Sequence, residues 1–318
     1  MPRLNKALCG KSLMKVLITG SEGFVGRHLR EYLGGRGYVV VGADISSGAD
    51  IRMDVTDFDS VLKTFEQNRF EAVVHLAAVA DIPLSMRDPH RCFKVNVYGS
   101  LNVLEAARRI GVRRVVVFSS ANYYGAPVKL PVTEDTPPNP RTPYDYSKVA
   151  LENVAWSYHR NHGVPITVLR PWKAFGEYEP GEKMVPRFVK ACLASEPIPL
   201  FNGGADVTDP YHVDNLCHAV ELGLIKDEAV GEAFNVGTGN ALSVRELAEK
   251  IKQLTNSSSK LETLPPRTPA EATPMKSIPS IKKIATKLGY TPQVSLEQGL
   301  KRVINFIASK QQNTNTGR

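Results

Sequence analysis

Short apolar runs alternate with stretches of helical period along the first half of the chain. Residues 15–19 (KVLIT) form a strand-sized run that ends at Gly20, and 38–41, 72–76, 115–118 and 166–169 repeat the pattern. Between them, residues 24–33, 57–67, 89–110 and 143–162 carry helix-like spacing. β-Branched strands alternating with helices predict an α/β fold with a doubly wound parallel sheet covered on both faces. The rhythm breaks after Arg170, where prolines crowd 171–210 and again 265–279. Within that second part, 233–236 reads as one more strand and 243–254 as a helix with Ser243 as its N-cap. The expected organisation is a nucleotide-binding sheet domain over 14–171, rejoined by about 211–240. A smaller mixed α/β substrate lobe over 172–310 interleaves with it. Residues 1–13 read as an N-terminal extension, Met14 being an alternative start, and 311–318 as a disordered tail.

Composition narrows the function classes. At 318 residues with 42% hydrophobic and 23% charged side chains, the chain can bury a full core, which excludes disordered and fibrous classes. The net charge of +8 points at first to nucleic acid. However, four basic and no acidic residues lie in 1–15, and twelve basic against three acidic in 250–318, so the body between is mildly acidic. No nucleic-acid partner is expected. No apolar run approaches the ~20 residues of a membrane span, and no membrane partner is expected either. Cys9, Cys92, Cys192 and Cys217 are far apart with no C-x-x-C, which predicts free thiols and a cytoplasmic location. His159 and His162 share a helix face but have no further ligand nearby, so they read as surface residues and no metal is expected. The basic N-terminal stretch lacks the long apolar centre of a secretory signal.

The turn after the first strand, Thr19-Gly20-Ser21-Glu22-Gly23-Phe24-Val25-Gly26, places glycines where a backbone turns sharply into a helix. Such a turn approaches a pyrophosphate closely and meets its charge with a helix N-terminus. Placed in a first βαβ unit, it predicts a Rossmann-type dinucleotide site. Asp44 ends the second strand eighteen residues after Gly26. A carboxylate there accepts from the adenosine ribose hydroxyls and repels a 2′-phosphate, favouring NAD over NADP. A loop-capping aspartate is the plainer reading of the same residue.

Tyr144 and Lys148 form Y-x-x-x-K at the start of a helix-like stretch, an i, i+4 pair on one face. Tyrosine ordinarily ionises near ~10, and bringing it to neutrality takes about 4 kcal/mol of differential stabilisation, which an adjacent ammonium supplies. Tyr144 is then expected to accept a proton from an alcohol while a hydride leaves the same carbon. The spacing alone is common in helices. Ser119 and Ser120 add to it, because they follow the strand 115–118 at the end where ligands of parallel sheets bind.

Together these segments resemble the extended short-chain dehydrogenase/reductase family, in its NAD-dependent nucleotide-sugar epimerase/dehydratase branch (UDP-glucose 4-epimerase-like), from Met14 to about Ile307. TGSEGFVG resembles the family glycine motif, and Asp54-Val55 its adenine-contacting pair. His75-Leu76-Ala77-Ala78 is similar to the strand-end signature beside the cofactor, and Asn96 to the asparagine of N-V-x-G. SSANYYG resembles the active-site segment, with Ser120 at the catalytic position and Ser119 beside the cofactor, and PYDYSK supplies Tyr144 and Lys148. The resemblance implies that Tyr144 is the base, that Lys148 holds the nicotinamide ribose and lowers the tyrosine pKa, and that Ser120 assists. It implies oxidation of a sugar hydroxyl to a transient 4-keto sugar and NADH, followed by return of the hydride to the other face. It also implies a homodimer joined through a four-helix contact that includes the Tyr144 helix, where Val149, Val154 and Trp156 offer apolar surface.

The departures from the family pattern sharpen the expectation. Dehydratases of the branch carry Asp-Glu after the catalytic hydroxyl, and decarboxylating relatives an acid at the second of those positions. Here Ala121 and Asn122 stand there, and neither transfers protons as a carboxylic acid does. A 4-epimerase acting on a UDP-hexose (UDP-glucose/UDP-galactose) leads. A sugar or sugar-nucleotide dehydrogenase or keto-sugar reductase follows, and a 4,6-dehydratase or a non-catalytic cofactor-binding protein comes behind. On the substrate side the resemblance places Ser85 at the hexose, Asn122 beside it, Phe201 at the base and Arg267 at the diphosphate. Lys173 stands in place of the usual asparagine, either at the diphosphate or simply solvated, and Thr208 stands in place of an arginine. An ammonium does not reproduce a bidentate guanidinium.

Overall fold

The computed structural model describes residues 14–127, 129–266 and 273–315. The chain opens with β1 (Lys15–Thr19), α1 (Phe24–Gly34), β2 (Val39–Asp44), β3 (Ile51–Arg52), α2 (Phe58–Asn68) and β4 (Ala72–His75). It continues with α3 (Ile82–Arg87), α4 (Pro89–Phe93), a π-helical turn at Lys94–Tyr98, α5 (Gly99–Ile110) and β5 (Arg114–Phe118). After a 3₁₀ turn at Ala121–Tyr124 come α6 (Pro143–His162), β6 (Ile166–Pro171), β7 (Lys173–Phe175), α7 (Met184–Leu193), β8 (Ile198–Phe201), β9 (Val207–Thr208) and β10 (Pro210–His212). The last elements are α8 (Val213–Ile225), β11 (Glu232–Val236), β12 (Leu242–Ser243), α9 (Val244–Leu254), β13 (Leu261–Leu264), α10 (Lys282–Leu288) and α11 (Leu296–Asn315).

Seven strands form one sheet in the order β11-β6-β5-β4-β1-β2-β3, and every pairing in it is parallel. This is the doubly wound, Rossmann-type sheet that the apolar runs predict. Alternate residues of a strand point to opposite faces, and both faces are buried. Val16, Ile18, Val74 and Val116 pack with Leu29 of α1 and Val220 of α8. Leu17, Val73, Val115 and Val117 pack on the other side with Phe65 of α2, Leu104 of α5 and Leu151 of α6. A third core joins Phe188 of α7, Leu200 of β8, Leu247 of α9 and Val303 of α11.

Element ends follow local chemistry. α2 starts at Asp57, whose side chain accepts from Ser60 N. α9 starts at Ser243 in a capping box with Glu246, and α6 at Thr142 in one with Asp145. The stretch 89–110 is not one α-helix but α4 and α5 joined by the π turn that contains Asn96. The prolines of 171–210 accompany short two-stranded pairings, β10 with β7, β9 with β12 and β8 with β13. One expectation fails at the C-terminus: 311–315 are not a disordered tail but the last residues of α11. That helix is held by Leu300, Val303 and Ile304 in the third core, and its period simply runs on. Residues 316–318, the N-terminal 1–13 and Arg267 lie outside the described residues. Among the described residues no helix is long and apolar enough to cross a membrane.

Candidate active site

The nucleotide end is built by the β1–α1 turn. Gly20 sits at φ +71, and a Cβ there would stand 2.7 Å from Ala77 N, so the two strand-end loops meet at backbone distance. A Cβ on Gly26 would run into the Gly20 carbonyl. α1 opens at Phe24 and Val25 after Gly23, with no side chain capping its first N–H groups. Those donors and the helix dipole favour an anion. Asp44, at the end of β2, accepts from Glu22 N at 3.1 Å and from Ser46 N at 3.0 Å. It therefore caps the loop as well as lying beside the glycine turn. Asp54 is exposed and accepts from Thr56 N. Val55 is buried against Gly99, and its carbonyl accepts from Asn102.

Leu76, Ala77 and Ala78 are half-buried beyond β4. The hydrogen bonds there admit one arrangement of protons. Thr19 Oγ1 accepts from Leu76 N and Ala77 N, so its own hydrogen goes to His75 Nδ1 at 2.8 Å. Ser100 donates to the Asn96 carbonyl at 2.5 Å, which leaves His75 Nε2–H to donate to Ser100 Oγ at 2.9 Å. His75 is thus neutral, and burial, with the Lys148 charge behind it, pushes its pKa down to about 3. Asn96 is fully engaged within the protein. It accepts from Val79 N at 2.7 Å and donates to Ser147 Oγ at 2.9 Å, tying the strand-end loop to α6.

Ser119, Ser120, Tyr144 and Lys148 come together where β5 ends against the first turns of α6. Ser119 Oγ is buried without a hydrogen-bond partner. Ser120 Oγ accepts from Asn122 N at 3.1 Å, and its side chain lies near enough to Tyr144 to favour the ionised phenol. Lys148 Nζ donates to the Phe118 carbonyl at 2.8 Å and lies 5.8 Å from the centre of the Tyr144 ring. Burial works against the ionised phenol that the chemistry needs. Tyr144 is 9% exposed, and burial pushes its pKa up to about 12, with Ser120 opposing and Asp145 and Cys92 adding to the rise. The Lys148 ammonium is directed at the Phe118 carbonyl, and its own pKa is pulled down to about 8 by burial.

Asn122 Nδ2 donates to Asp145 Oδ1 at 3.0 Å. Because a carboxylate only accepts, this contact orients the amide and leaves its oxygen as the accepting end. Asp145 Oδ2 takes Arg141 N and Thr142 N, so the carboxylate is occupied as a structural clamp.

On the substrate side, Lys173 in β7 is open to solvent, yet the walls around it lower its pKa. Glu179, Asp206 and Asp145 oppose that lowering, and Lys183 adds to it. Lys183 reaches Asp81 at 3.5 Å, bridging the mouth between α3 and the segment before α7. Glu179 has a buried carboxylate oxygen without a partner, and burial pushes its pKa up to about 8. Phe201 is half-buried at the end of β8, with the Arg187 guanidinium 5.5 Å from its ring. Thr208 pairs with Leu242 across β9 and β12. Next to it Asp209 is buried, accepting from the Thr238 hydroxyl and from Thr238 N and Gly239 N. Ser85 is buried, its hydroxyl donated to the Ile82 carbonyl.

A family model described as the NAD dependent epimerase/dehydratase family matches residues 16–237. The chain belongs to that family. It is 33% identical to the UDP-glucose 4-epimerase of Mycolicibacterium smegmatis over 94% of this chain and 100% of that protein. The solved UDP-glucose 4-epimerase of Thermotoga maritima, with UDP-glucose, is similar at a TM-score of 0.88 and 31% identity, covering 94% of this chain and 100% of that one. The dTDP-glucose 4,6-dehydratase of Streptomyces venezuelae, with NAD bound, is similar at 0.85 and 28% identity, covering 94% and 98%. Family membership therefore spans more than one reaction. The family cofactor, NAD, fits the residues present: the glycine turn has no room for side chains, and the uncapped helix N-terminus lies beside Asp44.

Sequence reasoning missed several residues of this family site. Asp145 orients Asn122, Lys183 bridges to Asp81, Arg187 faces Phe201, and a buried Glu152–Arg170 pair lies beneath the catalytic groups. Only the last had a visible signal. Tyr144, Lys148 and Glu152 repeat every four residues along one helix face.

Proposed function

We propose that this protein is an NAD-dependent nucleotide-sugar epimerase, acting at C4 of a UDP-hexose such as UDP-glucose or UDP-galactose. The observation that carries the reading is the Ser120–Tyr144–Lys148 set beside Ala121 and an Asn122 already donated to Asp145. That neighbourhood offers a hydroxyl base and a hydrogen-bond acceptor. It places no carboxylic acid at the two positions from which water or carbon dioxide would be driven off.

In this mechanism Tyr144 takes the proton of the sugar hydroxyl, and Ser120 holds the same oxygen as it becomes a carbonyl. Bound NAD would supply a reversible hydride acceptor at that carbon. Tyr144 then returns its proton to the carbonyl oxygen once the keto sugar has presented its other face. Lys148 keeps the site positive while the tyrosine is ionised. Gly20, Gly23, Phe24, Val25 and Gly26 would hold the pyrophosphate, Asp44 the adenosine ribose, and Asp54 and Val55 the adenine side. Leu76, Ala77, Ala78, Asn96 and Ser119 shape the rest of the cofactor wall. Asn122 accepts from a sugar hydroxyl, Ser85 backs the hexose, Lys173 and Arg267 take the diphosphate, and Phe201 packs on the base.

A net oxidoreductase acting on a sugar or sugar nucleotide is the second reading, because the same base and the same cofactor turn would serve one-way hydride transfer. Incubation with UDP-glucose and NAD separates the two. The epimerase yields UDP-galactose with no net change at 340 nm, whereas the oxidoreductase changes that absorbance in step with product. No product from any UDP-, GDP-, CDP- or dTDP-sugar would refute both.

The reading includes a cytoplasmic homodimer. Cys92, Cys192 and Cys217 are free and buried, in keeping with a reducing compartment. An apolar groove of about 710 Å³ runs along α4, the π turn and the start of α5, with Val154 of α6 on its floor. Phe93 and Tyr98 are exposed beside it, as a second copy packing there requires.

A further inference from the structure

Glu152 and Arg170 lie buried together beneath the catalytic groups. They are 1% and 4% exposed, and the guanidinium donates to both carboxylate oxygens, at 2.9 and 2.7 Å. Taking two charges out of water is costly, and such a pair seldom adds stability over apolar residues of the same volume. Its neighbours give it another use. Glu152 stands one turn beyond Lys148 on the same face of α6, and Lys148 one turn beyond Tyr144. Arg170 Nη1 donates to the Tyr124 hydroxyl at 2.6 Å and to the Glu134 carbonyl at 3.1 Å. Its guanidinium also lies 3.9 Å from the centre of the Tyr123 ring. Tyr123 and Tyr124 end the 3₁₀ turn that begins directly after Ser120 and contains Asn122.

We propose that the Glu152–Arg170 pair is the positioning device of the catalytic set. It holds the α6 side chains Tyr144 and Lys148 in register with the Ser120–Asn122 turn, and it gives Lys148 its anionic neighbour. This rests on reading Ser120, Tyr144 and Lys148 as the reacting groups.

The surroundings of Lys148 make Glu152 the deciding charge. Tyr144 shares its helix, Cys92 faces it from α4, His75 from β4, and the Phe118 carbonyl from β5. His75 is neutral by its hydrogen bonds, and burial raises both the Cys92 thiol and the Tyr144 phenol, so these groups stay uncharged near neutrality. Burial brings Lys148 down to about 8; the Cys92 thiolate and then Glu152 work against that fall, and with the thiol protonated the carboxylate of Glu152 is the anion left. Around the pair itself stand Tyr123, Tyr124 and Glu134, the last facing Lys283.

The test is a titration of Lys148 in substrate-free protein, by NMR of lysine labelled at Cε, with its signal assigned by loss in Lys148→Met. Glu152→Gln is expected to move the midpoint down by about one pH unit, a tenfold change in the acid constant. The double variant Glu152→Leu/Arg170→Met, which fills the same space without charge, keeps the fold by circular dichroism and displaces the titration in the same direction but by less, because a cation is lost with the anion. Where turnover is measurable, both variants lose about tenfold in kcat above pH 8 with KM changed less than about twofold. A Lys148 titration unchanged in both variants overturns the proposal, even if kcat falls. Absence of any sugar-nucleotide turnover in the wild type would sink the functional reading alone, since the titration needs no substrate.

Discussion

Tyr144 is the base of the proposed mechanism, and its surroundings set two opposing demands. A base must lose its proton, yet burial favours the protonated phenol. In the proposed mechanism the task of making the ionised form reachable falls to Lys148 and to the anion behind it. Tyr144→Phe removes the proton acceptor and is expected to lower kcat roughly 10²–10⁴-fold while NAD affinity, followed by fluorescence quenching, stays within a small factor. His75 gives a second residue-scale prediction, in stability. The unfolded chain takes up a proton at this histidine near 6.5, whereas the folded protein refuses it until about 3. The folded state is then the one with fewer protons, so its stability is full above 6.5 and is lost as pH falls towards 3, at ~1.4 kcal/mol per pH unit. Urea denaturation from pH 7 to 4 should show that decline. His75→Gln should flatten its slope, and an equal slope in the variant would contradict the assignment. At this scale the sequence was readable wherever a motif marked it. It was blind to proton balance, because a tyrosine and a lysine four residues apart do not announce how deeply they will be buried.

At the scale of elements, the glycine turn and the first helix act as one unit. Strand β1 delivers Gly20 to within backbone distance of Ala77, and α1 can begin only because Gly26 leaves space at the Gly20 carbonyl. Gly26→Ala forces the turn open. It is expected to cost ~1–3 kcal/mol in urea denaturation and to weaken NAD binding by about tenfold or more, measured by titration calorimetry. A variant that binds NAD like the wild type would show that the turn is not the pyrophosphate site. Elements of this kind were legible from sequence. Asp57 and Ser243 are local caps, and residues 143–162 form one helix because Thr142 and Asp145 close its first turn from within the same segment. The π turn at 94–98 was not legible. Its extra residue turns Asn96 towards Val79 and Ser147, partners 17 and 51 positions away.

For the whole molecule, the two parts meet through polar contacts made by residues far apart in the chain. His28 of α1, Glu177, His212 of β10 and Arg302 of α11 form one cluster, and Asp81 and Lys183 close another. The uncovered face along α4 and α5 is the counterpart of these contacts, and a second copy of the chain is expected to cover it. Tyr98→Glu places a charge in that groove and should convert a dimer to a monomer in sedimentation equilibrium, with the fold kept. A wild type that sediments as a monomer at all concentrations would dismiss the dimer. The sequence by itself determined the alternation of strands and helices, the glycine turn and the Ser120, Tyr144 and Lys148 motifs. Hydrophobic period, capping and turn chemistry act within a few residues and can be read in order. Tertiary structure alone decided the ionisation of Tyr144 and Lys148, the clamp on Asn122 and the placing of Glu152 beneath them. Each depends on how much water the packed chain excludes and on which distant groups it brings within a few ångströms, and neither quantity is written in the order of the residues.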